Sequence, residues 1–541
     1  MSTTAGTARL SLGIVITVLI LYSLSVVGAF HYERLTGDAA LYMSIAEKYL
    51  QGDLGNAING YWGPLLSWLL VPLLLHGASH VFAINALNLA FGILTIFGVL
   101  RLSGRLGMSE GMRMVILIPL APVLLFISLA QPMDFLLLCI LVYYLDTVFR
   151  DDYHRKVSHA VRAGILGALA YFSKPFGFPF FISHFLLMTL CHYLRVPSRE
   201  NRKDIMRNAL TGFLVFFLLS GVWIALISSK YGRLTFSNMG RGVFAALGPE
   251  SSHDTLEKGD PIFFKGFFAP PNESAIVIYE DPSYARDKTW NPLASKRLFG
   301  HFMSNFIENV IESFRIYESF SRLSTAIVIS CILLILVQTR KRAVQQGELL
   351  YPLLTVALYT AGYLPFHLET RYLWIVNILL LLLGGTVLTI LFRHEFFKER
   401  TVKHVLTVLF VLSFVVTPAK SVIEMSGDNL NRDMHELGTM LSRQYGIKGN
   451  FASNRQHMRT TVHDSWHKTF RLAYWMDSRY FGEEGEHMSA GELERDLNAF
   501  GIDYYFYWED EEAPPGFLMQ YREVTAGEIP GLRIYSLREK G

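Results

Sequence analysis

Residues 10–38 read LSLGIVITVLILYSLSVVGAFHYERLTGD, an uncharged apolar run followed directly by a polar stretch that ends in Asp38. The apolar part, residues 10–30, is long enough to cross a bilayer as a helix. A cleavable signal peptide has a shorter apolar core and a small-residue cleavage site. The stretch therefore predicts a retained first membrane span that delivers Asp38 to one membrane surface.

The whole chain repeats this pattern. Of its 541 residues 51% are hydrophobic and 18% are charged, whereas soluble domains average about 25% charged residues. This composition excludes a single soluble domain and a disordered chain, and the net charge of +3 argues against a nucleic-acid binder. We predict a polytopic α-helical membrane protein with about eleven transmembrane helices. The ten further apolar runs lie near residues 80–100, 113–130, 134–149, 160–173, 176–194, 208–228, 322–338, 349–365, 372–392 and 402–418.

Basic residues concentrate in every second link between these runs, for example around Arg101, Arg202 and Arg340. The positive-inside rule places those links in the cytoplasm. The N-terminus is then inside, and the tail after Pro418 is outside. The apolar stretch Pro64 to His76 is too short to span and contains two prolines, so it is predicted to be a re-entrant or interfacial helix on the outer surface.

The membrane module, residues 1–419, has two large outer loops, 31–79 and 229–320. The second loop is polar and rich in turns. Residues 420–541 alternate strand-like runs with a helical pattern, Ala490 to Phe500, that starts after Ser489 and stops at Gly501. We expect this tail to be a small extracytoplasmic α/β domain.

Four ionisable residues stand at the predicted outer ends of the spans, where a charge near hydrocarbon needs a partner or a function. They are Asp38, Asp134, Lys174 and Arg371. Asp38 also opens an amphipathic helical pattern that runs to residue 50. Two acids and two bases are thus predicted to converge on the outer boundary of the bundle.

Plainer explanations exist for each of these residues. Either acid could cap a helix, Arg371 could anchor its span by snorkelling, and Lys174 could be an interfacial lysine. The aromatic residues of the first loop, Tyr42, Tyr61 and Trp62, could belong to an interfacial belt. These alternatives stay open at the level of sequence.

Five motifs surround these residues in order along the chain. They are GDAALYMSIA (37–46), GYWGPL (60–65), QPMDFLL (131–137), ALAYFSKPFG (168–177) and PFHLETRYL (365–373). Together they resemble the outer-loop motifs of GT-C glycosyltransferases, integral-membrane enzymes that use polyprenyl-phosphate sugars. The protein O-mannosyltransferase and lipid A aminoarabinose transferase branches are the most similar. The resemblance covers residues 10–420 and implies a GT-C fold.

The resemblance implies a role for each motif residue. Asp38 would be the catalytic general base, and Asp134, which matches the second outer acidic residue of the family, would be a second catalytic carboxylate. Arg371 and Lys174 would bind the donor phosphate. The substrate pocket would consist of Tyr42, Tyr61, Trp62, His367, Glu369 and Tyr372, in which His367 and Glu369 either orient Arg371, the favoured reading, or bind a metal.

Two positions depart from the family pattern. Ala39 stands where many members have a second acid after the loop aspartate. Trp62-Gly63-Pro64 stands where the aminoarabinose branch has Lys-Pro-Pro. The phosphate-binding lysine of that branch is therefore absent at this position, and the substrate of that branch is not implied.

The function expected from these residues is inverting transfer of a sugar from a polyprenyl-phosphate donor, such as one on undecaprenyl phosphate, to an extracytoplasmic glycan, lipid or protein. The expected location is a bacterial inner membrane, with the active site and tail facing the periplasm. No cofactor is required by the pattern. A divalent metal stays open, although His457, His463 and His467 are better explained as surface residues than as ligands.

Two other functions fit parts of the pattern. A transporter or flippase of lipid-linked glycans would also be polytopic, but transporters place ionisable residues near the midplane and often contain repeats. A non-catalytic subunit that binds a lipid-linked glycan would have no need of Asp38.

Overall fold

A computed structural model describes residues 2–29, 37–130, 132–195, 198–249, 266–284, 290–337, 347–427, 429–456, 464–485, 488–509 and 513–540. The N-terminal part of the membrane module contains α1 (Ser2–Ala29), α2 (Gly37–Gln51), α3 (Leu54–Ala57), α4 (Pro64–Leu75), α5 (His80–Arg105), α6 (Glu110–Val115), α7 (Leu117–Ala130), α8 (Pro132–Val148) and α9 (Val157–Ser173). It continues with α10 (Gly177–Arg195), α11 (Arg199–Tyr231), α12 (Met239–Ala246), α13 (Lys296–Tyr317), α14 (Ser324–Val337), α15 (Gly347–Ala361), α16 (Trp374–Leu391) and α17 (Arg400–Ser426).

Each of the eleven predicted spans coincides with helical structure, the third being divided between α6 and α7. Within the described residues, 7 helical stretches are long and apolar enough to cross a membrane by length and composition. The helices α8, α9, α14 and α15 are shorter than this criterion requires. The structure is therefore that of a helical protein with several candidate spans, and the count of eleven stays a prediction.

The short helix α4 supports α2. Its 12 residues extend about 18 Å, which is less than the roughly 30 Å of a hydrocarbon core. Leu66 and Leu70 are buried, and the Ser67 hydroxyl donates a hydrogen bond to the backbone oxygen of Tyr42 at 2.8 Å. A non-spanning helix at this position agrees with the sequence analysis.

The predicted helix at the start of the first loop is present as α2, and it is buried more broadly than its amphipathic pattern indicates. Every side chain from Ala39 to Ala46 is buried, so no broad face is left to solvent. The reason is that α4 packs on one side of α2 while a helix of the tail packs on another. When a helix is covered on several sides, its polar side chains bond to other residues instead of to water.

The tail consists of α18 (Leu430–Tyr445), α19 (Ser465–Trp475), α20 (Ala490–Ala499) and a five-stranded sheet of order β2-β1-β3-β5-β4. The strands are β1 (Asn450–Ser453), β2 (Arg479–Glu483), β3 (Tyr504–Trp508), β4 (Tyr521–Glu523) and β5 (Leu532–Lys540). β1 pairs in parallel with β2 and β3, and β5 pairs antiparallel with β3 and β4. The predicted α/β architecture is confirmed, including α20 with its Ser489 capping box.

Alternate residues of β3 face two cores. Phe506 and Trp508 belong to the large core that continues into the membrane module, whereas Tyr505 and Tyr507 pack with α20 in a separate cluster. This is the period of two expected for a strand covered on both faces. The tail is thus joined to the membrane module by continuous packing.

Helix α19 rests on the first outer loop and the start of α5. The Nδ1 atom of His80 lies 2.6 Å from the Tyr474 hydroxyl, and its Nε2 atom lies 2.9 Å from the Glu47 carboxylate. These contacts place the tail on the same side of the bundle as α2.

Candidate active site

Arg371 lies in the short turn Thr370–Leu373 that precedes α16. Its Nη1 atom donates to the Asp38 carboxylate at 2.5 Å and lies 3.7 Å from the Asp134 carboxylate. Its Nε atom donates to Glu369 at 2.6 Å. One guanidinium therefore contacts three carboxylates, which come from α2, from α8 and from its own turn.

Lys174 is the second cation of the site. It follows α9 directly, and Pro175 disfavours a helical conformation at this position. Its Nζ atom donates to the Asp134 carboxylate at 2.5 Å and lies 3.9 Å from the ring centre of Tyr372. Burial lowers the pKa of Lys174, while the charge of Asp134 opposes this effect. Asp134 is thus held between two cations.

The structure brings together the four ionisable residues that the sequence places on one face. Asp38 and Arg371, which are bonded directly, are 333 positions apart in the chain. Snorkelling does not describe Arg371, because its guanidinium is bound by acids. Asp38 and Asp134 both lie in the first turns of their helices, where the helix dipole favours a carboxylate.

Glu369 fixes the orientation of Arg371. Burial alone would raise the pKa of Glu369, but the charge of Arg371 and hydrogen bonds from Arg371 and Tyr372 lower it to about 2. The Tyr372 hydroxyl donates to Glu369 at 2.8 Å. The Nε2 atom of His367 lies 3.7 Å from the same carboxylate. The favoured reading of Glu369 as an orienting residue agrees with this geometry.

The aromatic residues of the first loop lie in two layers. Tyr42 is buried beside the acids, and its pKa is raised by burial and by the charges of Asp134 and Asp38. The Trp62 ring packs edge-on against Tyr42, with ring centres 5.3 Å apart, and Tyr61 packs behind Trp62 at 5.1 Å. The Trp62 indole nitrogen donates to the backbone oxygen of Tyr279 at 2.9 Å. Trp62 is therefore anchored to the second outer loop.

Gly63 allows the first loop to approach the end of α9. A Cβ atom at this position would lie 2.4 Å from the backbone oxygen of Phe172 and 2.5 Å from that of Ser173. Backbone atoms cannot move aside as a side-chain tip can. Glycine at this position therefore lets Tyr42, Trp62 and Lys174 share one site.

A small cavity lies beside Asp134 and Arg371. Its other walls are mostly apolar or aromatic and come from α8, from α15 and the residues just after it, and from α16 and the turn before it. They are Leu137, Leu138, Leu141, Tyr359, Tyr363, Tyr372, Trp374 and Ile375. The cavity therefore has a charged end, at Asp134 and Arg371, and a largely apolar wall.

Among the described residues, no group of three or more His, Cys, Asp and Glu side chains could hold a metal ion. The acids around Arg371 are paired with Arg371 and Lys174 instead. His457 and His463 lie outside the described residues, and His467 contacts Asp464 at the start of α19.

No family model matches the chain, and no curated protein matches it in sequence. Solved structures match its fold. ArnT from Cupriavidus metallidurans bound to undecaprenyl phosphate has a TM-score of 0.55 at 12% identity, with 98% of each chain covered. The oligosaccharyltransferase AglB from Archaeoglobus fulgidus, in complex with an inhibitory peptide and a dolichol-phosphate, has a TM-score of 0.53 at 12% identity. The match covers 91% of this chain and 69% of that one.

The chain has the fold of GT-C glycosyltransferases. At this sequence identity the likeness is one of fold, and it confirms the architecture implied by the five motifs. AglB has also been solved in complex with zinc and sulfate, with a TM-score of 0.53 at 11% identity.

Sequence reasoning missed a second ionic cluster at the far end of α2. Lys48 and Glu280 form an ion pair in which both side chains are 2% exposed. Lys48 lies within the helical pattern that begins at Asp38, and Glu280 lies in the turn-rich second loop. The available signal was a lone lysine amid the apolar positions of α2, which requires a buried counter-ion if that helix is fully covered.

Proposed function

We propose that the protein is an inverting membrane glycosyltransferase that moves a sugar from a polyprenyl-phosphate donor to a hydroxyl of a glycan, lipid or protein outside the cytoplasm. The observation that carries this proposal is the contact of Arg371 with Asp38 and Asp134 at the edge of a cavity with an apolar wall. The fold supports it, because ArnT and AglB, which share that fold, were solved with undecaprenyl phosphate and dolichol-phosphate.

In the proposed reaction the acceptor oxygen attacks the anomeric carbon, and the bond from that carbon to the phosphate oxygen breaks. The hydroxyl proton passes to Asp38, the general base. The lipid phosphate leaves with its electron pair, stabilised by Arg371 and Lys174. A single displacement from the opposite face inverts the anomeric configuration.

The present partners of Arg371 suggest how the donor would engage. Arg371 is occupied by Asp38, Asp134 and Glu369, so a phosphate must replace one of them. The side chains of Glu369 and Asp38 are 34% and 28% exposed, against 6% for Asp134. Two guanidinium nitrogens bind Glu369 and one binds Asp38, so a phosphate would replace Asp38 more readily than Glu369. Exchange of Asp38 for phosphate on Arg371 would release the carboxylate to act as a base when the donor is bound.

We place the membrane module at residues 1–419 and the extracytoplasmic domain at 420–541, in a bacterial inner membrane with both the site and the tail facing the periplasm. The contacts of α19 with His80 and Glu47 support a common side for the tail and Asp38. A cysteine introduced at Asp503 should react with an impermeant thiol reagent in spheroplasts, whereas one at Arg202 should be protected. The reverse labelling would invert the arrangement.

The test of function uses purified protein in proteoliposomes with a radiolabelled polyprenyl-phosphate sugar and a cell-envelope acceptor fraction. A transferase produces labelled acceptor and free polyprenyl phosphate. A flippase moves the intact lipid-linked sugar between leaflets, and a binding subunit retains the sugar on its lipid. Appearance of the label only on intact lipid would contradict the proposal.

A further inference from the structure

The segment 266–284 of the second outer loop, here named the strap, binds the tail through its N-terminal part, residues 268–279. The backbone nitrogen of Phe268 donates to the oxygen of Phe481 at 2.7 Å, and that of Tyr480 donates to the oxygen of Ile276 at 2.7 Å. Both partners lie in β2, at the edge of the sheet. Tyr279 also packs edge-on against Trp466 of α19, with ring centres 5.4 Å apart. The strap is thus held along the tail by backbone and aromatic contacts.

The other end of the strap binds α2 through one buried carboxylate. Glu280 is 1% exposed. It accepts a hydrogen bond from the Ser44 hydroxyl at 2.8 Å and forms the ion pair with Lys48. Ser44 and Lys48 are four residues apart and therefore lie on one face of the helix. Asp38 lies on the same helix, about 15 Å from Lys48 along its axis.

The end of the strap is fixed from further directions. The Asn59 side chain donates to the backbone oxygen of Glu280 at 2.6 Å, and the Trp62 indole donates to that of Tyr279 at 2.9 Å. The Tyr231 hydroxyl at the end of α11 bonds to Asp281. Displacement of Glu280 would therefore require the first loop and α11 to move as well, so it serves as a fixed point for α2.

We propose that Glu280 is a positioning residue that sets the axial position of α2, and so of Asp38, through Ser44 and Lys48. The strap thereby couples the sheet of the tail to the active site. This inference rests on the proposed function, because it assigns Glu280 an effect on the base Asp38. It also assigns the tail a role in holding the site.

The first variant is Glu280→Gln, which keeps the shape of the side chain and removes its charge. We expect kcat to fall by about 10- to 100-fold, because misplacement of a catalytic group by about 1 Å can cost about 10²-fold. The donor KM should change less than about threefold, since Arg371 and Lys174 do not contact Glu280 and phosphate contacts set donor affinity. Glu280→Asp should recover part of kcat.

The matched control is Glu312→Gln on α13, whose carboxylate pairs with Arg315 at the surface; it should behave as wild type. Ser44→Ala removes one neutral hydrogen bond and should lower kcat about two- to fivefold without loss of folding, within the range for a single hydrogen bond. If Glu280 served stability alone, Glu280→Gln would lower the unfolding temperature and leave kcat per folded molecule unchanged, which would overturn the inference.

A double-mutant cycle separates this inference from the proposed function. If Glu280 acts through Asp38, Glu280→Gln should add little to the loss already caused by Asp38→Asn. If the losses of the two variants are fully additive and Asp38→Asn is itself impaired, the positioning role of Glu280 is refuted and the proposed function is not. An Asp38→Asn variant with the wild-type rate refutes the proposed function, whatever Glu280→Gln does.

Discussion

The two ends of α2 carry two ionic clusters that differ in exposure. At the first turn, the side chains of Asp38 and Arg371 are 28% and 18% exposed. Near the far end, Lys48 and Glu280 are each 2% exposed. An ion pair that reaches a cavity can exchange a partner for a ligand, whereas a sealed pair cannot do so without opening the fold. The same interaction type therefore suits a reacting group at one end and an anchor at the other.

The first cluster also has more acids than bases, because Asp38, Asp134 and Glu369 face Arg371 and Lys174. An anion that enters must displace a carboxylate or be accompanied by a proton. The sealed pair is balanced and has no such tendency to exchange. The comparison predicts that variants of the first cluster lose activity while variants of the second lose stability as well.

The largest effect is expected for Asp38→Asn. Transfer should fall by about 10²–10⁴-fold, the usual contribution of general acid–base catalysis, while folding and donor binding persist. Asparagine caps helices about as well as aspartate, so a capping role predicts a near-normal enzyme. Initial rates of sugar transfer decide between these outcomes.

Two comparisons sharpen the Asp38→Asn result. Asp433→Asn changes an exposed carboxylate in the first turn of α18 and should leave transfer unchanged. Asp134→Asn should produce a smaller loss than Asp38→Asn if Asp134 positions the cations. A folded Asp38→Asn variant with the wild-type rate would remove the contrast between the clusters and shift the role of base to Asp134.

Lys48→Met tests the buried ion pair near the far end of α2. Removal of one partner leaves the Glu280 carboxylate buried without its counter-ion, and such changes cost about 3–5 kcal/mol of stability. Thermal unfolding in detergent should show a large decrease. Lys420→Met, at a side chain that is 75% exposed, should have almost no effect. Equal unfolding temperatures for both variants would contradict the assignment of Lys48 as an anchor.

Arg371→Ala should weaken binding of the lipid-phosphate donor more than binding of the acceptor. Loss of a hydrogen bond to a charged group is worth about 1.5–3 kcal/mol. Arg371→Lys should recover part of the donor affinity, because lysine cannot bind bidentately. Titration with polyprenyl phosphate measures the difference, and Arg322→Ala, at an 86% exposed side chain, is the control. Unchanged donor affinity in Arg371→Ala would refute its phosphate-binding role.

The smallest effect is expected from Glu369. Its lowered pKa, about 2, means that its pairing with Arg371 is complete above about pH 4.5 and is lost only as the pH falls towards 2. Donor affinity should therefore show no step from this group between pH 5 and 8. Glu369→Gln should weaken donor binding only modestly. A pH-dependent step in donor affinity that disappears in Glu369→Gln would show that Glu369 titrates between pH 5 and 8, contrary to this expectation.

Much of the fold could be predicted because its signals are local. Apolar runs specify the helices, and Ser489 with Glu492 specifies the start of α20. The convergence of four ionisable residues, Asp38, Asp134, Lys174 and Arg371, could also be predicted. The uneven distribution of basic residues among the links indicates on which side of the membrane each link lies, and it assigns all four residues to the same side.

The sealed cluster could not be predicted, because it depends on the path of a loop. Lys48 and Glu280 meet only because the strap crosses α2, and no local pattern encodes that crossing. The burial of α2 on several sides has the same origin, since α4 and α19 approach it from distant parts of the chain. The hydrogen bond from the Trp62 indole nitrogen to Tyr279 of the strap could not be predicted for the same reason.

The position of β2 has a consequence for dividing the chain into fragments. In the intact protein the strap lies against this edge strand, and Trp466 is covered by Tyr279. A tail expressed alone would lose the strap, and β2 would become an unpaired edge strand beside an exposed aromatic surface. Unpaired edge strands of this kind promote association between copies of a chain. The tail should therefore self-associate as a separate polypeptide, and joining residues 266–284 to it should restore a monomer.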